Sequence, residues 1–236
     1  MERQFTSWIR RNVLDSVLPP VVRDRRAMNA VANRLWTGKV PLDFQREAWR
    51  YTPDDWAAVY RAVSRARVAK RVSDTSAAEM EWLCDRVRSL QPTSVLDVGA
   101  GRGHVAGRVL EVLPSGSRLY VADAFEQARL PETSDGKTVT TLKATGHDLP
   151  FADQEIDALI CAHTLEHLTN LFSTFRELRR VAKRLLVIVP LQRWAPYTWD
   201  THLHFFPYLE YLPGLLETPA GDARVIDGDG CYEFVS

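Results

Sequence analysis

The sequence predicts an α/β fold: a doubly wound, mostly parallel sheet of seven strands, preceded by an N-terminal helical cap. Three observations predict it. From residue 94 onward, apolar runs alternate with helical patterns at the pitch of strand–helix–strand units. The first of these runs ends in a glycine-rich turn that opens a helix. The chain's 236 residues, 45% hydrophobic and 25% charged, suffice for one full core and a smaller subdomain.

Residues 1–75 form the expected cap and residues 76–236 the expected sheet domain. Phe5, Trp8, Ile9, Val13 and Val17 recur at helical spacing, and Pro19-Pro20 stops that helix. Its other face carries Arg3, Arg10, Arg11 and Asp15, so it suits packing on its own protein or lying on a membrane surface. A second helix is expected over residues 21–35, ending near Gly38. Thr52-Pro53-Asp54-Asp55 gives a cap, a proline at the first helical position and acids at the positive end of the dipole. That helix runs to about Lys70. Phe5, Trp8, Trp36, Phe44, Trp49, Tyr51, Trp56 and Tyr60 make the cap aromatic, as a helical core or the inner face of a lid.

Ser76-Ala77-Ala78-Glu79 is a capping box, and Met80, Leu83, Val87 and Leu90 then share a face toward the sheet. The first strand, Val95-Leu96, ends in Asp97. Gly99, Gly101 and Gly103 follow, then a helix over 105–113 and a turn over 114–117. A second strand, 119–122, ends in Asp123. A third, 139–142, leads to Gly146-His147-Asp148-Leu149-Pro150-Phe151. The fourth, Ile156–Ala162, is followed by His163-Thr164-Leu165-Glu166-His167-Leu168, and the fifth covers 184–190. Residues 191–206 are polar, aromatic and broken by proline, which marks a loop over the carboxyl ends of the strands. A helix over 208–216 precedes strands over 221–227 and 231–235, joined at Asp227-Gly228-Asp229-Gly230.

The glycine spacing separates two cofactor classes. A dinucleotide turn, G-x-G-x-x-G, needs glycine at position 104, which is His104. The pattern present is D-x-G-x-G-x-G. A carboxylate two residues before the first glycine repels a pyrophosphate and attracts an ammonium or sulfonium. Asp123, some 20 residues past the glycines at a strand end, can accept hydrogen bonds from both ribose hydroxyls.

The ordered set D-x-G-x-G-x-G, Asp123, D-L-P-F, I-D-A-L-I-C and L-E-H-L resembles the small-molecule branch of the class I S-adenosylmethionine-dependent methyltransferases, over about residues 77–210. The resemblance implies a Rossmann-like fold, S-adenosyl-L-methionine as cofactor and S-adenosyl-L-homocysteine as product. It places Gly99, Gly101 and Gly103 along the methionine and ribose, and Asp97 near the methionine ammonium. Asp123, with Ala124 beside it, would hold the ribose. Asp148 would accept from the adenine amino group, and Leu149 would lie under the ring. Ala162 and His163 would face the methionine and the substrate mouth. The sequence departs from the family after the ribose carboxylate, where an aliphatic residue is frequent. Here small Ala124 and then Phe125 follow.

Methyl transfer is an in-line displacement that needs positioning and exclusion of water, and a base only where the acceptor loses a proton. His163, Glu166 and His167 are the candidates, with His202 and His204 behind them; each is also an ordinary loop-holding residue. His202 and His204 show no third ligand, so no metal is expected. The expected acceptor is a small molecule, a natural-product or glycan intermediate methylated on oxygen or nitrogen. Two other readings are kept. One is a cofactor-binding protein of this fold with a non-methylating or regulatory role. The other is a nicotinamide oxidoreductase, opposed by His104.

Composition sets the surroundings. Cys84, Cys161 and Cys231 are odd in number and share no close spacing, which fits a reducing cytoplasm. The longest apolar run is too short for a bilayer, and no signal-peptide core is present. Residues 1–90 hold 17 Lys and Arg against 11 Asp and Glu, and the remainder 13 against 19. That asymmetry suits two complementary faces or a basic cap over an acidic mouth. No long basic run points to nucleic acid. Residues 1–75 are expected to close over the cofactor cleft, with 192–206 as the opposite wall.

Overall fold

In a computed structural model of the chain, the residues described are 19–27, 29–31, 43–70, 75–125, 128–194 and 201–236. They fall into two compact units. One is drawn from Met1–Asp74 with Gln192–Pro207, the other from Thr75–Leu191 with Tyr208–Ser236. The helix expected around Phe5, Trp8, Ile9, Val13 and Val17 lies outside the described residues, as does Trp36. Among the described residues, no helix is long and apolar enough to cross a membrane.

In the first unit, helix α1 (Pro53–Lys70) starts where its cap requires. Asp55 Oδ2 accepts from the Thr52 amide at 2.9 Å and from its hydroxyl at 2.7 Å, and the Asp55 amide returns a 3.3 Å bond to Thr52 Oγ1. Phe44, Tyr51 and Trp56 pack into a core in this segment, whereas Trp49 is exposed. Phe44 is fully buried and meets Tyr51 and Trp56 edge-on, with centroids 5.9 and 5.5 Å apart, and Trp56 stacks on Tyr60. Leu203 joins the same cluster.

The second unit begins at helix α2 (Ala77–Leu90). Its capping box is closed: Ser76 Oγ accepts from the Glu79 amide at 3.2 Å, and Glu79 Oε2 accepts from the Ser76 amide at 2.7 Å. The strands are β1 (Ser94–Val98), β2 (Arg118–Asp123), β3 (Thr133–Ser134), β4 (Lys137–Lys143), β5 (Ile156–Ala162), β6 (Ala182–Pro190), β7 (Asp222–Ile226) and β8 (Asp229–Val235). Their order is β3-β4-β2-β1-β5-β6-β8-β7. The five from β4 to β6 are parallel to one another, whereas β8 runs against β6 and β7 against β8.

The expectation of seven strands is corrected to eight. The extra strand, β3, has two residues paired antiparallel to β4 across Asp135-Gly136. Its polar Thr133-Ser134 carries no apolar signal, and the pairing follows from the positive φ of Asp135 and Gly136. The β7–β8 turn is tighter than expected. Asp227 and Gly228, with φ of 48° and 95°, form a two-residue hairpin that puts Asp229 and Gly230 inside β8. The helix after the long loop is a single short one, α5 (Tyr211–Leu215).

Helices α2 and α3 (His104–Val112) cover one sheet face. Leu83 and Val87 of α2 and Ala106 and Val109 of α3 meet Val95, Leu119, Ile160 and Ile188, all fully buried. On α4 (Leu171–Val181), Leu171, Phe175 and Leu178 are buried, and Phe175 meets Phe234 of β8 at 5.3 Å. At about 25 cal/mol per Å², each such side chain contributes roughly 2 kcal/mol. The order of connection reverses between β1 and β5, so their carboxyl ends border the crevice where open α/β sheets bind ligands.

Candidate functional site

At the end of β1 the chain turns through three glycines with positive φ: 72° at Gly99, 53° at Gly101 and 82° at Gly103. Each has a different reason. A Cβ on Gly99 would overlap the Thr164 side chain, and one on Gly103 would lie 2.9 Å from Ala128 Cβ. At Gly101, a Cβ would meet nothing within 4 Å among the described residues. The first and third glycines let the chain pack on itself, and the middle one leaves open space beside the backbone. Gly103 is the residue before α3, whose third residue, Ala106, turns its amide to Asp97.

Asp123 ends β2 and is fixed by the turn. Its Oδ2 accepts from the Gly101 amide at 2.8 Å and its Oδ1 from the Phe125 amide at 2.8 Å. Both carboxylate oxygens are thus anchored to backbone amides at the strand end. Asp97, 2% exposed, has an Oδ2 with no hydrogen-bond partner among the described residues. Burial and the nearby Asp123 charge push its carboxyl up to about 7, against the opposing pull of the Ala106 amide. A buried oxygen lacking a donor, next to open space and a second carboxylate, fits a ligand that brings an ammonium and a diol. S-adenosylmethionine carries both.

The loop Asp148-Leu149-Pro150-Phe151 is held from α4. Leu149 is buried and donates its amide to Glu177 Oε1 at 3.0 Å. Arg180 binds Glu177 through two nitrogens at 2.8 Å each and donates to the Phe151 carbonyl at 2.9 Å. Asp148 is exposed, with its carboxylate available to a ligand. Ala124 follows Asp123 in the turn beyond β2, and Ala162 closes β5.

His163 takes a left-handed conformation, φ 51°, directly after β5, and donates its amide to the Ile188 carbonyl at 2.8 Å. Its side chain, only 6% exposed, turns into the protein. Nε2 lies 3.6 Å from Glu79 Oε2 and 3.7 Å from Asp229 Oδ2, and Nδ1 lies 3.7 Å from Glu166 Oε1. Glu166 and His167 sit in a single 3₁₀ turn, Leu165–His167, rather than at the start of α4, and His167 Nε2 is 3.9 Å from Glu166 Oε1. Burial would raise the Glu79 carboxyl, but His163, Asp229 and the Ser76 amide outweigh it and hold it low.

His202 and His204 belong to the other unit, where His202 bonds Gln192 and His204 meets Trp49 edge-on at 6.1 Å. Glu79 and Asp229 are functional-site neighbours that sequence reasoning missed. Glu79 is recognisable as a helix cap and Asp229 as a hairpin residue, and neither pattern says what the side chain meets. Together with His163 they form a group whose ligand atoms lie within 4.8 Å of one another.

Comparisons with known proteins agree with this geometry. Residues 96–187 match a family model described as a methyltransferase domain. The chain is 34% identical over 116 residues to a malonyl-[acyl-carrier protein] O-methyltransferase of Geobacter sulfurreducens, covering 46% of this chain and 43% of that one. It is 31% identical over 114 residues to a demethylmenaquinone methyltransferase of Roseiflexus sp., covering 46% and 48%. The matches thus span less than half the length of these relatives. Among solved structures, a Burkholderia thailandensis 1,6-didemethyltoxoflavin-N1-methyltransferase with bound 1,6-didemethyltoxoflavin and S-adenosylhomocysteine shares the fold. Its TM-score is 0.57 at 19% identity, covering 79% of this chain and 91% of that chain.

Proposed function

We propose that this chain is a class I S-adenosylmethionine-dependent methyltransferase that transfers a methyl group from S-adenosylmethionine to a small-molecule acceptor. The observation that carries the reading is the pairing of Asp123 with the Gly101 amide beside the donor-less oxygen of buried Asp97. S-adenosylmethionine supplies a carbon already activated by its sulfonium. The chain's part is to bind, orient and exclude water. Asp123 takes the ribose hydroxyls, Asp97 the methionine ammonium, Leu149 the adenine face and Asp148 its amino group. Gly99, Gly101, Gly103, Ala124 and Ala162 give the backbone approach.

The acceptor is read as a natural-product or glycan-type intermediate with a hydroxyl or amine. Support comes from the demethylmenaquinone methyltransferase among its relatives and from the acidic balance of residues 91–236. The acceptor's lone pair displaces S-adenosylhomocysteine, and its proton passes to solvent or to a group near residues 163–167. The test is incubation with S-adenosylmethionine labelled at the methyl, followed by fractionation of the products. Label in small-molecule extracts supports the reading. Label only in RNA or protein contradicts it.

A further inference from the structure

We propose that Glu177 and Arg180 of α4 are positioning residues for the adenine base: as one ion-paired unit they hold the backbone of Leu149 at both its polar groups, and so set where Leu149 and Asp148 meet the base. This rests on reading Asp148 and Leu149 as the adenine contacts, and adds what makes them selective.

The unit grips one residue from both sides. Glu177 Oε1 accepts from the Leu149 amide at 3.0 Å, and Arg180 Nη2 donates to the Leu149 carbonyl at 3.3 Å. The Phe151 amide donates to the same carbonyl at 2.8 Å, closing a three-residue turn across Pro150. Arg180 Nη1 donates to the Phe151 carbonyl at 2.9 Å and to Asp153 Oδ1 at 2.8 Å, while Nε and Nη2 bind the two Glu177 oxygens at 2.8 Å each. Nε thus gives one bond, Nη1 two and Nη2 two, which uses all five N–H groups of a guanidinium. A lysine ammonium has three donors and no planar fork, so it cannot reproduce this arrangement. Arg180 in turn holds the Glu177 carboxyl below its usual range, so the group that accepts the Leu149 amide is ionised.

The grip comes from one face of one helix. Thr174, Glu177 and Arg180 follow one another at three-residue spacing on α4. Buried Thr174 lies against Gly146, where an added Cβ would come within 2.9 Å of Thr174 Cγ2. At the far end of the loop, the Gln154 amide donates to the Arg180 carbonyl at 2.8 Å. Leu171, Phe175 and Leu178 bury the helix itself, so the loop is tied to a rigid element. Asp148 is left exposed beside the pinned Leu149. A carboxylate that reads one amino group must sit within about 0.5 Å of its working place, and the Glu177–Arg180 unit supplies that constraint through Leu149.

Selectivity follows from that rigidity. Adenine offers Asp148 an amino group, whereas hypoxanthine offers a carbonyl oxygen, and two acceptors set face to face repel. A loop held in place keeps the repulsion. A loop free to shift relaxes it by letting Asp148 move away. The unit therefore acts on which base is accepted, while Asp97 and Asp123 act at the methionine and ribose.

Calorimetry on the full chain tests this with S-adenosylhomocysteine and its inosine analogue, in which a carbonyl replaces the adenine amino group. The wild type should prefer S-adenosylhomocysteine by about tenfold or more. Arg180→Lys keeps the charge and loses the fork, and Glu177→Gln keeps the shape and loses the ion pair. Each should shrink the preference several-fold, chiefly by weakening S-adenosylhomocysteine. Asp157→Asn is the control. Asp157 lies at the start of β5, away from the crevice, and binds Thr93 and Lys183. Its loss should lower the thermal midpoint and leave the preference unmoved. Glu177→Gln decides the matter if Arg180→Lys shows no cooperative transition. Folded variants with the wild-type preference overturn the proposal, and so does an equal shift in Asp157→Asn. A wild type that binds both ligands alike overturns the adenine role of Asp148 and the proposal with it. A wild type that binds neither overturns the cofactor reading itself, and the proposal falls with it.

Discussion

The ends of β1 and β5 lie side by side in the sheet, yet they are built in opposite ways. The end of β1 is local. Asp97, Gly99, Gly101 and Gly103 sit within seven residues, and only Asp123 comes from elsewhere. The end of β5 is assembled. His163 and Glu166 are near in sequence, but Glu79 comes from α2 and Asp229 from the final hairpin, 150 positions apart. The first leaves open space beside the Gly101 backbone, with the Asp97 and Asp123 carboxyls near it. The second turns His163 and three acidic side chains toward one another.

Breaking the assembled end should have the largest effect on stability. His163→Ala removes the side chain that Glu79, Glu166 and Asp229 surround and should cost about 3–5 kcal/mol, read from denaturant midpoints. In the wild type, His163 helps hold the Glu79 carboxyl low. Without it that carboxyl rises, so the variant's folded state takes up protons more readily than its unfolded chain. Its stability deficit should shrink as pH falls through the acid range and grow as pH rises. A deficit independent of pH would mean that packing, not charge, dominates at this end.

Breaking the local end should act on binding. Gly101→Val places a side chain in open space at φ 53°, and should abolish measurable cofactor binding while costing about 1–3 kcal/mol of stability. Gly99→Val collides with Thr164 and should do both kinds of damage. Equal behaviour of the two variants would erase the distinction between self-packing and ligand-facing glycines. Asp123→Ala should weaken S-adenosylhomocysteine by about 1–3 kcal/mol by calorimetry, the usual loss for a charge-assisted pair.

The smallest expected effect is a pH dependence. Asp97 has its carboxyl raised to about 7 in the folded chain, chiefly by burial. A raised carboxyl favours the protonated folded state. The ligand-free protein should therefore lose stability as pH rises from the ordinary carboxylate range through about 7. Binding an ammonium requires the ionised form, so affinity should climb over the same interval, with proton release on binding. Asp97→Asn should flatten both curves.

The local end was legible from the sequence because its signals are local. Glycine at alternate positions after a strand reports positive φ, and a carboxylate at a strand end reports a polar contact. The same logic gave the Ser76 and Thr52 caps and the alternation of strands with helices. Strand β3 was missed because Thr133-Ser134 has no apolar pattern and pairs only through its turn. The assembled end was missed because a capping glutamate and a hairpin aspartate look identical whether their side chains meet solvent or a histidine. His163 was legible as the residue after β5, and its inward rotation was not, since that depends on α2 and β8.

The most direct test is calorimetric titration of S-adenosylhomocysteine and of a nicotinamide dinucleotide into the wild-type chain, with Gly101→Val alongside. Saturable binding of S-adenosylhomocysteine alone is expected, absent from a Gly101→Val variant that keeps a cooperative thermal transition. No binding by folded wild-type chain at millimolar ligand, or equal binding by the variant, would contradict it.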